Sequence, residues 1–293
     1  MKKILTIFTA LVFGMSLYAI DIFNYVPVSS SVKSYTQTEY TITSKFGDLF
    51  RTPNLKIVHN FDDAGNEAEI VEISAKDVLM NKTVCSYDKD NNLVEQNCYD
   101  QNSELLWKNI YSYKDGKKSD MSEYNKDGEL KGKIIYIYSD GNLVDETGYD
   151  AEGVLVWKTI YKYTDGVLTT ASQYSADGAL DTEITYAYTA EGKAESITTE
   201  DGITKLSTQK VFRYASNGNL TEVTTYDSNK QITNRLMIKY DNSGNIARLS
   251  GYNISNKFGS VQNELSSMSE FVYSNEVTDY EAAANKARYV DAK

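Results

Sequence analysis

An aromatic residue returns at nearly constant spacing along this chain, and this spacing constrains the fold more than any other feature. A first series, at steps of 25 or 26 residues, consists of Phe61, Tyr87, Tyr113, Tyr138, Tyr163, Tyr188, Tyr214 and Tyr240. A second series, at steps of 25 to 27, lies between them and consists of Tyr99, Tyr124, Tyr149, Tyr174, Thr199, Tyr226 and Tyr252. Turn residues follow most members of both series, so each unit of about 25 residues holds two turns. A fixed period of this kind is typical of repeat proteins.

The segments between the turns alternate with a period of two, which predicts β-strands. In one unit, Leu155, Trp157, Thr159, Tyr161 and Tyr163 share one face, whereas Val156, Lys158, Ile160 and Lys162 share the other. Asp-Gly pairs such as Asp165-Gly166 predict tight hairpins, because glycine adopts the positive φ that these turns need. We therefore predict an all-β fold, an antiparallel meander of up to sixteen strands in repeated hairpins. This meander would form a coiled single sheet or a β-solenoid-like structure.

Four segments are predicted along the chain. Residues 1–19 resemble a secretory signal peptide, because Lys2 and Lys3 precede an apolar run, with a cut after Ala19 or, alternatively, after Ser16. Residues 20–57 form an N-terminal cap or degenerate repeat, 58–252 the hairpin repeats, and 253–293 a C-terminal cap. A short helix is expected over 282–288, after the capping-box pattern at 278–281. The mature chain would be exported to the periplasm or cell surface, with no transmembrane helix.

Composition disfavours several classes of function. Acidic residues outnumber basic ones by 41 to 30, and an acidic chain is a poor binder of nucleic acid. One His and two Cys are too few for most zinc sites, so no metal or other cofactor is expected. His59 occupies a face position of the repeat, and neither a nucleophile elbow nor a phosphate loop occurs. The chain is therefore predicted not to be an enzyme.

Three runs within the repeats carry a family resemblance. Residues 214–220, 226–232 and 240–246 each begin with Tyr and continue with turn residues, and they resemble the Tyr-Asp repeats of RHS-type bacterial proteins. They are also similar to MORN-like bacterial repeats, and the resemblance covers Lys56 to Tyr252. The RHS resemblance implies strands that wrap a shell around a C-terminal toxin. Only 41 residues follow Tyr252, so we carry over the β-repeat scaffold alone.

Two sets of side chains are candidate sites. The first is an aromatic ladder on one strand face, formed by Trp107, Tyr111, Tyr136, Trp157, Tyr161 and Tyr186. Packing within the sheet is the first interpretation of this ladder, and a platform that stacks on sugar rings is the second. The other set is Cys85 and Cys98, which flank one turn. A tentative disulfide forms if the turn centres on Asn91-Asn92, whereas pairing of Asp88 with Leu93 leaves Cys98 diagonal to Cys85.

Three functional hypotheses follow. The first is an exported, non-enzymatic binding or scaffold module at the cell envelope, with a protein or an envelope polysaccharide as its partner. The second is a carbohydrate- or cell-wall-binding protein that uses the Tyr/Trp face. The third is an outer-membrane β-barrel, whose spanning strands need about 9–11 residues.

Overall fold

Eighteen β-strands build the part of the protein that the structure describes. The computed structural model describes residues 31–257 and 260–280, and within them no helix is long and apolar enough to cross a membrane. The strands are β1 (Ser34–Lys45), β2 (Asp48–Phe61), β3 (Glu67–Ser74), β4 (Leu79–Tyr87), β5 (Leu93–Asp100), β6 (Leu105–Lys114), β7 (Lys117–Asn125), β8 (Leu130–Ser139), β9 (Asn142–Asp150), β10 (Leu155–Thr164), β11 (Val167–Ser175), β12 (Leu180–Tyr188), β13 (Ala194–Asp201), β14 (Ser207–Tyr214), β15 (Leu220–Tyr226), β16 (Ile232–Tyr240), β17 (Ile246–Lys257) and β18 (Ser260–Ser274).

The sheet closes on itself as a barrel. Each strand pairs antiparallel with the next one in sequence, and β1 pairs with both β2 and β18. The β1–β18 register runs from Ser34 opposite Ser274 to Tyr40 opposite Met268. The predicted open, coiled sheet or solenoid is therefore wrong. Closure pairs the two edge strands, which an open sheet would leave with unsatisfied backbone groups.

The two segments predicted as caps supply two whole strands of the barrel and parts of two others. β1 and most of β2 come from residues 20–57, and β18 with the end of β17 comes from residues 253–293. These residues depart from the tyrosine period but keep the alternation of a strand, which explains why eighteen strands form rather than sixteen. The predicted signal peptide (1–19) and the predicted C-terminal helix (282–288) lie outside the described residues.

The barrel has two different ends. At the first, which we call the tyrosine end, turns follow the even-numbered strands and come directly after the first tyrosine series. The predicted hairpin at Asp165-Gly166 is confirmed there, since both residues have positive φ (51° and 77°). At the other end, the ribbon end, turns follow the odd-numbered strands. The β1–β2 and β17–β18 hairpins, whose strands have 12 to 15 residues, are the longest there.

Tyrosine hydroxyls form hydrogen bonds between neighbouring strands at the tyrosine end. The hydroxyl of Tyr163, at the end of β10, donates to the carbonyl of Leu143 at the start of β9, at 2.9 Å. The same bond recurs from Tyr87 to Glu67, from Tyr113 to Leu93, from Tyr214 to Ala194, from Tyr240 to Leu220 and from Tyr273 to Ile246. Each bond joins two strands whose connecting turn lies at the opposite end. The tyrosines therefore hold the strand pairs together where no turn does.

Alternate side chains point into the lumen and form two linked apolar clusters. One cluster contains Phe212, Leu220 and Ile246, and the other contains Tyr111, Leu143 and Leu168. Ile184 and Tyr186 of β12 pack against both clusters, so the apolar lining continues around much of the inner wall. Burial of this lining is the main apolar contribution to stability.

The segment after β18 crosses the outer wall. Tyr280 packs against the cluster of Val58, Val71 and Ile73, and Val58 is fully buried beneath it. Asn60 Oδ1 accepts a hydrogen bond from the backbone N–H of Thr278 at 3.1 Å. This segment therefore covers the outside of β2 and β3, next to the β1–β18 closure.

Candidate functional site

One concave feature of the described residues is a cavity in the lumen. Its volume is about 370 Å³, and strands from β10 to β18 line it. Most of the lining is apolar, with Ile184, Ile197, Phe212, Val223 and Leu236 among the contributors. Threonine, tyrosine and lysine side chains supply the polar part, including Thr199 and Lys210. The lining of the cavity follows the inner wall across nine strands.

The six aromatic residues of the predicted ladder all belong to the inner wall. Tyr111, Tyr136 and Tyr161 are buried, whereas Trp107, Trp157 and Tyr186 are half-buried. Only Tyr161 and Tyr186 line the cavity. The sequence thus identified the shared face, but not that this face points into a closed barrel. A sugar or any other partner of the ladder would have to enter the lumen.

A charged pair on the inner wall was missed by the sequence analysis. At its position in the repeat, Lys118 stands where the first unit carries Glu67 and where the other units carry an apolar residue: Leu93, Leu143, Leu168, Ala194, Leu220 and Ile246. Glu146 likewise stands where other units carry Gln96, Met121, Ala171, Ile197, Val223 and Leu249. Charged residues in these mostly apolar columns were the signal that could have revealed the pair.

Glu146 is held inside the wall by its neighbours. Its side chain is 1% exposed, and the Tyr161 hydroxyl donates to its Oε2 at 2.9 Å. Among the described residues, its Oε1 has no hydrogen-bond partner. Burial raises the pKa of Glu146 to about 7, although the Tyr161 hydrogen bond and the Lys118 charge both act to lower it. The carboxyl group therefore titrates close to neutral pH.

Lys118 is the accessible member of this charged pair. Its ammonium lies 4.8 Å from the centroid of the Tyr111 ring and 5.5 Å from that of Tyr136, which are cation–π distances. Burial lowers the pKa of Lys118, and the attraction of Glu146 opposes that shift. The side chain is only half-buried, so a polar group inside the lumen could reach it. We call Lys118, Glu146, Tyr111, Tyr136 and Tyr161 the polar spot.

The outer wall carries ion pairs between neighbouring strands. Lys108 Nζ lies 3.0 Å from Glu95 Oε2, and Lys133 Nζ lies 3.1 Å from Asp120 Oδ1. Equivalent pairs are Lys82–Glu69, Lys158–Asp145, Arg235–Glu222 and Arg248–Glu270. Tyrosines of the second series also point outward, nearer to the ribbon end. The outside of the barrel is thus polar at mid-height, whereas the inside holds the two apolar clusters together with buried polar side chains such as Gln96, Asn109 and Thr159.

Cys85 and Cys98 are both free and buried. Cys85 pairs across the sheet with Gln96, and Cys98 pairs with Thr83. This is the register that leaves the two cysteines diagonal, so the tentative disulfide is absent from the structure. Burial raises the pKa of both thiols, which keeps them protonated and unreactive at neutral pH.

His59 has a structural environment. Its ring stacks on Tyr35 with the centroids 4.3 Å apart, and its Nδ1 contacts the Glu67 carboxylate. Across the described part of the chain, no group of three or more His, Cys, Asp or Glu side chains could hold a metal ion. Neither observation assigns a chemical step to His59.

Comparison with known proteins leaves the family open. No protein-family profile and no curated protein matches the chain. Similar solved structures include a porin-like protein from Bacteroides uniformis, with 10% identity, 83% of this chain and 98% of that chain covered, and a TM-score of 0.47. Another is a porin-like protein from Bacteroides vulgatus, with the same identity and coverage and a TM-score of 0.38. The TcdB2-TccC3-Cdc42 structure has 13% identity and a TM-score of 0.28, and the match covers 79% of this chain and 15% of that chain.

These likenesses are too weak to carry an argument, and the strand pairing alone defines the class of protein. The chain is a closed, all-β barrel built from hairpin repeats. Membership of the RHS, YD-repeat or MORN families, which the sequence resemblance implied, is not supported. Closure favours the outer-membrane barrel hypothesis over the scaffold-module hypothesis, because a scaffold of repeats would need no ring.

Proposed function

We propose that this protein is an exported β-barrel of the cell envelope that binds an amphipathic small molecule in its lumen. The observation that carries the proposal is the apolar cavity, which adjoins the polar spot at Tyr161. Its volume of about 370 Å³ lies within the range of small-molecule sites, about 300–1,000 Å³. No catalytic step, cofactor or nucleic acid is part of the proposal.

The two parts of the inner wall suit the two parts of such a guest. Ile184, Phe212 and Leu236 offer apolar surface to an acyl chain or ring system. Lys118 offers a cation on the neighbouring part of the wall, where an anionic or hydroxyl head group would replace water. A guest with an apolar body and a small polar head fits this division.

The outer wall supports a barrel surrounded by water. Barrels that span a membrane have an apolar outer band and a polar interior. Here the ion pairs, such as Glu95–Lys108, lie on the outside and the apolar clusters on the inside. We therefore place the mature chain in the periplasm or at the cell surface, where the predicted signal peptide would direct it.

An outer-membrane barrel is the second candidate function. Closure of the sheet favours it, and so do strands of nine or ten residues such as β6 and β8. Solubility separates the two candidates. A water-exposed barrel stays monodisperse without detergent, whereas a spanning barrel requires detergent or lipid.

Lumen binding is tested by titrating the mature chain with anilinonaphthalene sulfonate, a fluorescent probe with an apolar body and an anionic head. We expect saturable fluorescence that falls at least fivefold in Thr199→Trp, because this side chain lines the cavity and a larger one fills it. Thr185→Trp is the matched control, since Thr185 is exposed on the outer wall. Equal binding by the two variants would contradict the proposal.

A further inference from the structure

Exposed apolar side chains concentrate at the ribbon end of the barrel. Twelve of the sixteen large hydrophobic side chains that are exposed in the described residues lie there, and Val154, Ile203 and Leu206 are among them. The turns at the tyrosine end are instead rich in Asp, Asn and Gly. The two ends of the barrel therefore differ in the surface that they offer.

The β1–β2 hairpin carries the most exposed part of this surface. Beyond Tyr40, β1 pairs only with β2, so the hairpin projects from the barrel as a two-stranded ribbon. Phe46 at its tip is completely exposed, and Leu49 and Phe50 beside it are about half exposed.

The conformation at this tip is unusual for its sequence. Phe46 has a φ of 54°, which is unfavourable for a bulky side chain. Turns of the same length at the tyrosine end use Asp at this position, as in Asp115, Asp140 and Asp165. The sequence Lys-Phe-Gly of this tip also occurs at 257–259, between β17 and β18. An exposed phenylalanine that local conformation disfavours indicates a function outside the fold.

The outer wall behind the ribbon end has the chemistry of a membrane interface. Outward-facing tyrosines form a row there, and each of several is paired with a lysine one strand away: Tyr124 with Lys108, Tyr149 with Lys133, and Tyr174 with Lys158. Aromatic side chains with polar tips concentrate at the head-group level of bilayers. The ammonium groups of the three lysines form ion pairs with Glu95, Asp120 and Asp145 on the same outer wall.

We propose that the ribbon end docks on a lipid bilayer without crossing it, with Phe46 as the leading anchor. A bilayer fits better than a protein because the apolar side chains stand on separate turns around a ring, and fluid lipid accepts such isolated insertions whatever their spacing. Lys45 balances Asp48 at the tip, and Arg51 forms an ion pair with Glu270 at 3.6 Å, so the ribbon carries no excess negative charge that would repel lipid phosphates. The ion pairs of the outer wall limit the depth of insertion, because charges are costly in hydrocarbon.

Docking goes beyond lumen binding, and it would place one mouth of the barrel against the lipid. The test is flotation of the mature chain with phosphatidylcholine vesicles. Wild-type protein is expected to float with the vesicles, and Phe46→Asp to lose at least fivefold in the bound fraction. This variant installs the Asp-Gly turn used elsewhere in the barrel, so we expect it to fold.

Val167→Asp is the matched control, because Val167 is an exposed apolar side chain next to a tight turn, like Phe46, but lies at the tyrosine end. It should float like the wild type. The proposal is overturned if the wild type stays in solution, if Phe46→Asp floats equally well, or if bound protein resists an alkaline carbonate wash as a spanning barrel would. Dye binding in vesicle-free solution reports on the lumen separately, so either proposal can fail without the other.

Discussion

At the scale of single residues, the polar spot is the least expected part of the barrel. An isolated buried carboxylate is costly, and replacing Leu or Met at these positions with charges gains no apolar burial. Lys118 and Glu146 partly compensate each other, with the Tyr161 hydroxyl as the direct hydrogen-bond donor to Glu146. Positions where a repeat departs from its apolar pattern at a cost are candidates for function.

Glu146 makes the stability of the barrel depend on pH. Its folded-state pKa of about 7 lies above the ordinary value of 4.5, so the folded state retains the proton longer than the unfolded chain does. The free energy of unfolding therefore falls as pH rises from about 4.5 to 7 and is lowest above that range. The Glu146→Gln variant has no proton to lose at this position, so its free energy of unfolding does not fall over this range. At pH 8 its free energy of unfolding should exceed that of the wild type by on the order of 3 kcal/mol. Urea denaturation at pH 5 and pH 8 measures this difference.

The control for this prediction is Glu183→Gln, which removes a carboxylate from the outer wall that accepts from Ser172 Oγ at 3.2 Å. Its stability relative to the wild type should be the same at both pH values. If Glu146→Gln and the wild type instead lose stability in parallel between pH 5 and pH 8, Glu146 does not carry a proton at neutral pH.

At the scale of elements, each strand pair is closed by a turn at one end and, in at least six pairs, by a tyrosine hydroxyl at the other. Tyr163 and Leu143 are one example, with β9 and β10 joined by a turn at the ribbon end. The repeat of about 25 residues therefore encodes a closed unit with two fastenings. The regular return of Tyr in the first series follows from this role.

Tyr163→Phe tests the fastening. The ring and its packing remain, but the hydroxyl is lost and the Leu143 carbonyl loses its donor. We expect a loss of about 0.5–1.5 kcal/mol in unfolding free energy, together with faster amide hydrogen exchange at the tyrosine end of β9 and β10. Tyr149→Phe, on the outer wall, is the comparison. An equal loss in both variants would mean that the hydroxyl bond has no special role.

The sequence predicted the strands and most turns better than it predicted how these strands assemble and which side chains they expose. Alternation placed Trp157 and Tyr161 on one face, and Asp165-Gly166 gave the correct hairpin, because both signals are local. The exposed Phe46 could not be anticipated, since its Phe-Gly turn lacks the Asp or Asn that marks the others. The cysteine register also depended on one residue of turn geometry, at Asp88 to Asn92, which alternation does not fix.

At the scale of the whole molecule, closure of the sheet determines that one face of every strand points into the lumen and the other points outward. The aromatic face that an open meander would expose to water points into the lumen, because the ring curves around it. Closure depends on the pairing of Ser34–Tyr40 with residues more than 220 positions away. A repeat pattern describes neighbouring strands only, so it contains no information about whether the first strand meets the last.

A disulfide across the β1–β18 closure tests this ring directly. Thr36 and Val272 are cross-strand partners, and their side chains both point outward. Facing residues of antiparallel strands have Cα atoms about 4.5–5.5 Å apart, which suits a disulfide. In a chain whose Cys85 and Cys98 are changed to alanine, Thr36→Cys with Val272→Cys should oxidise within the monomer. Thr36→Cys with Val211→Cys, which joins β1 to the distant strand β14, should not. If the two pairs oxidise equally slowly, as assessed by free-thiol counts and mobility in non-reducing gels, the sheet is open in solution.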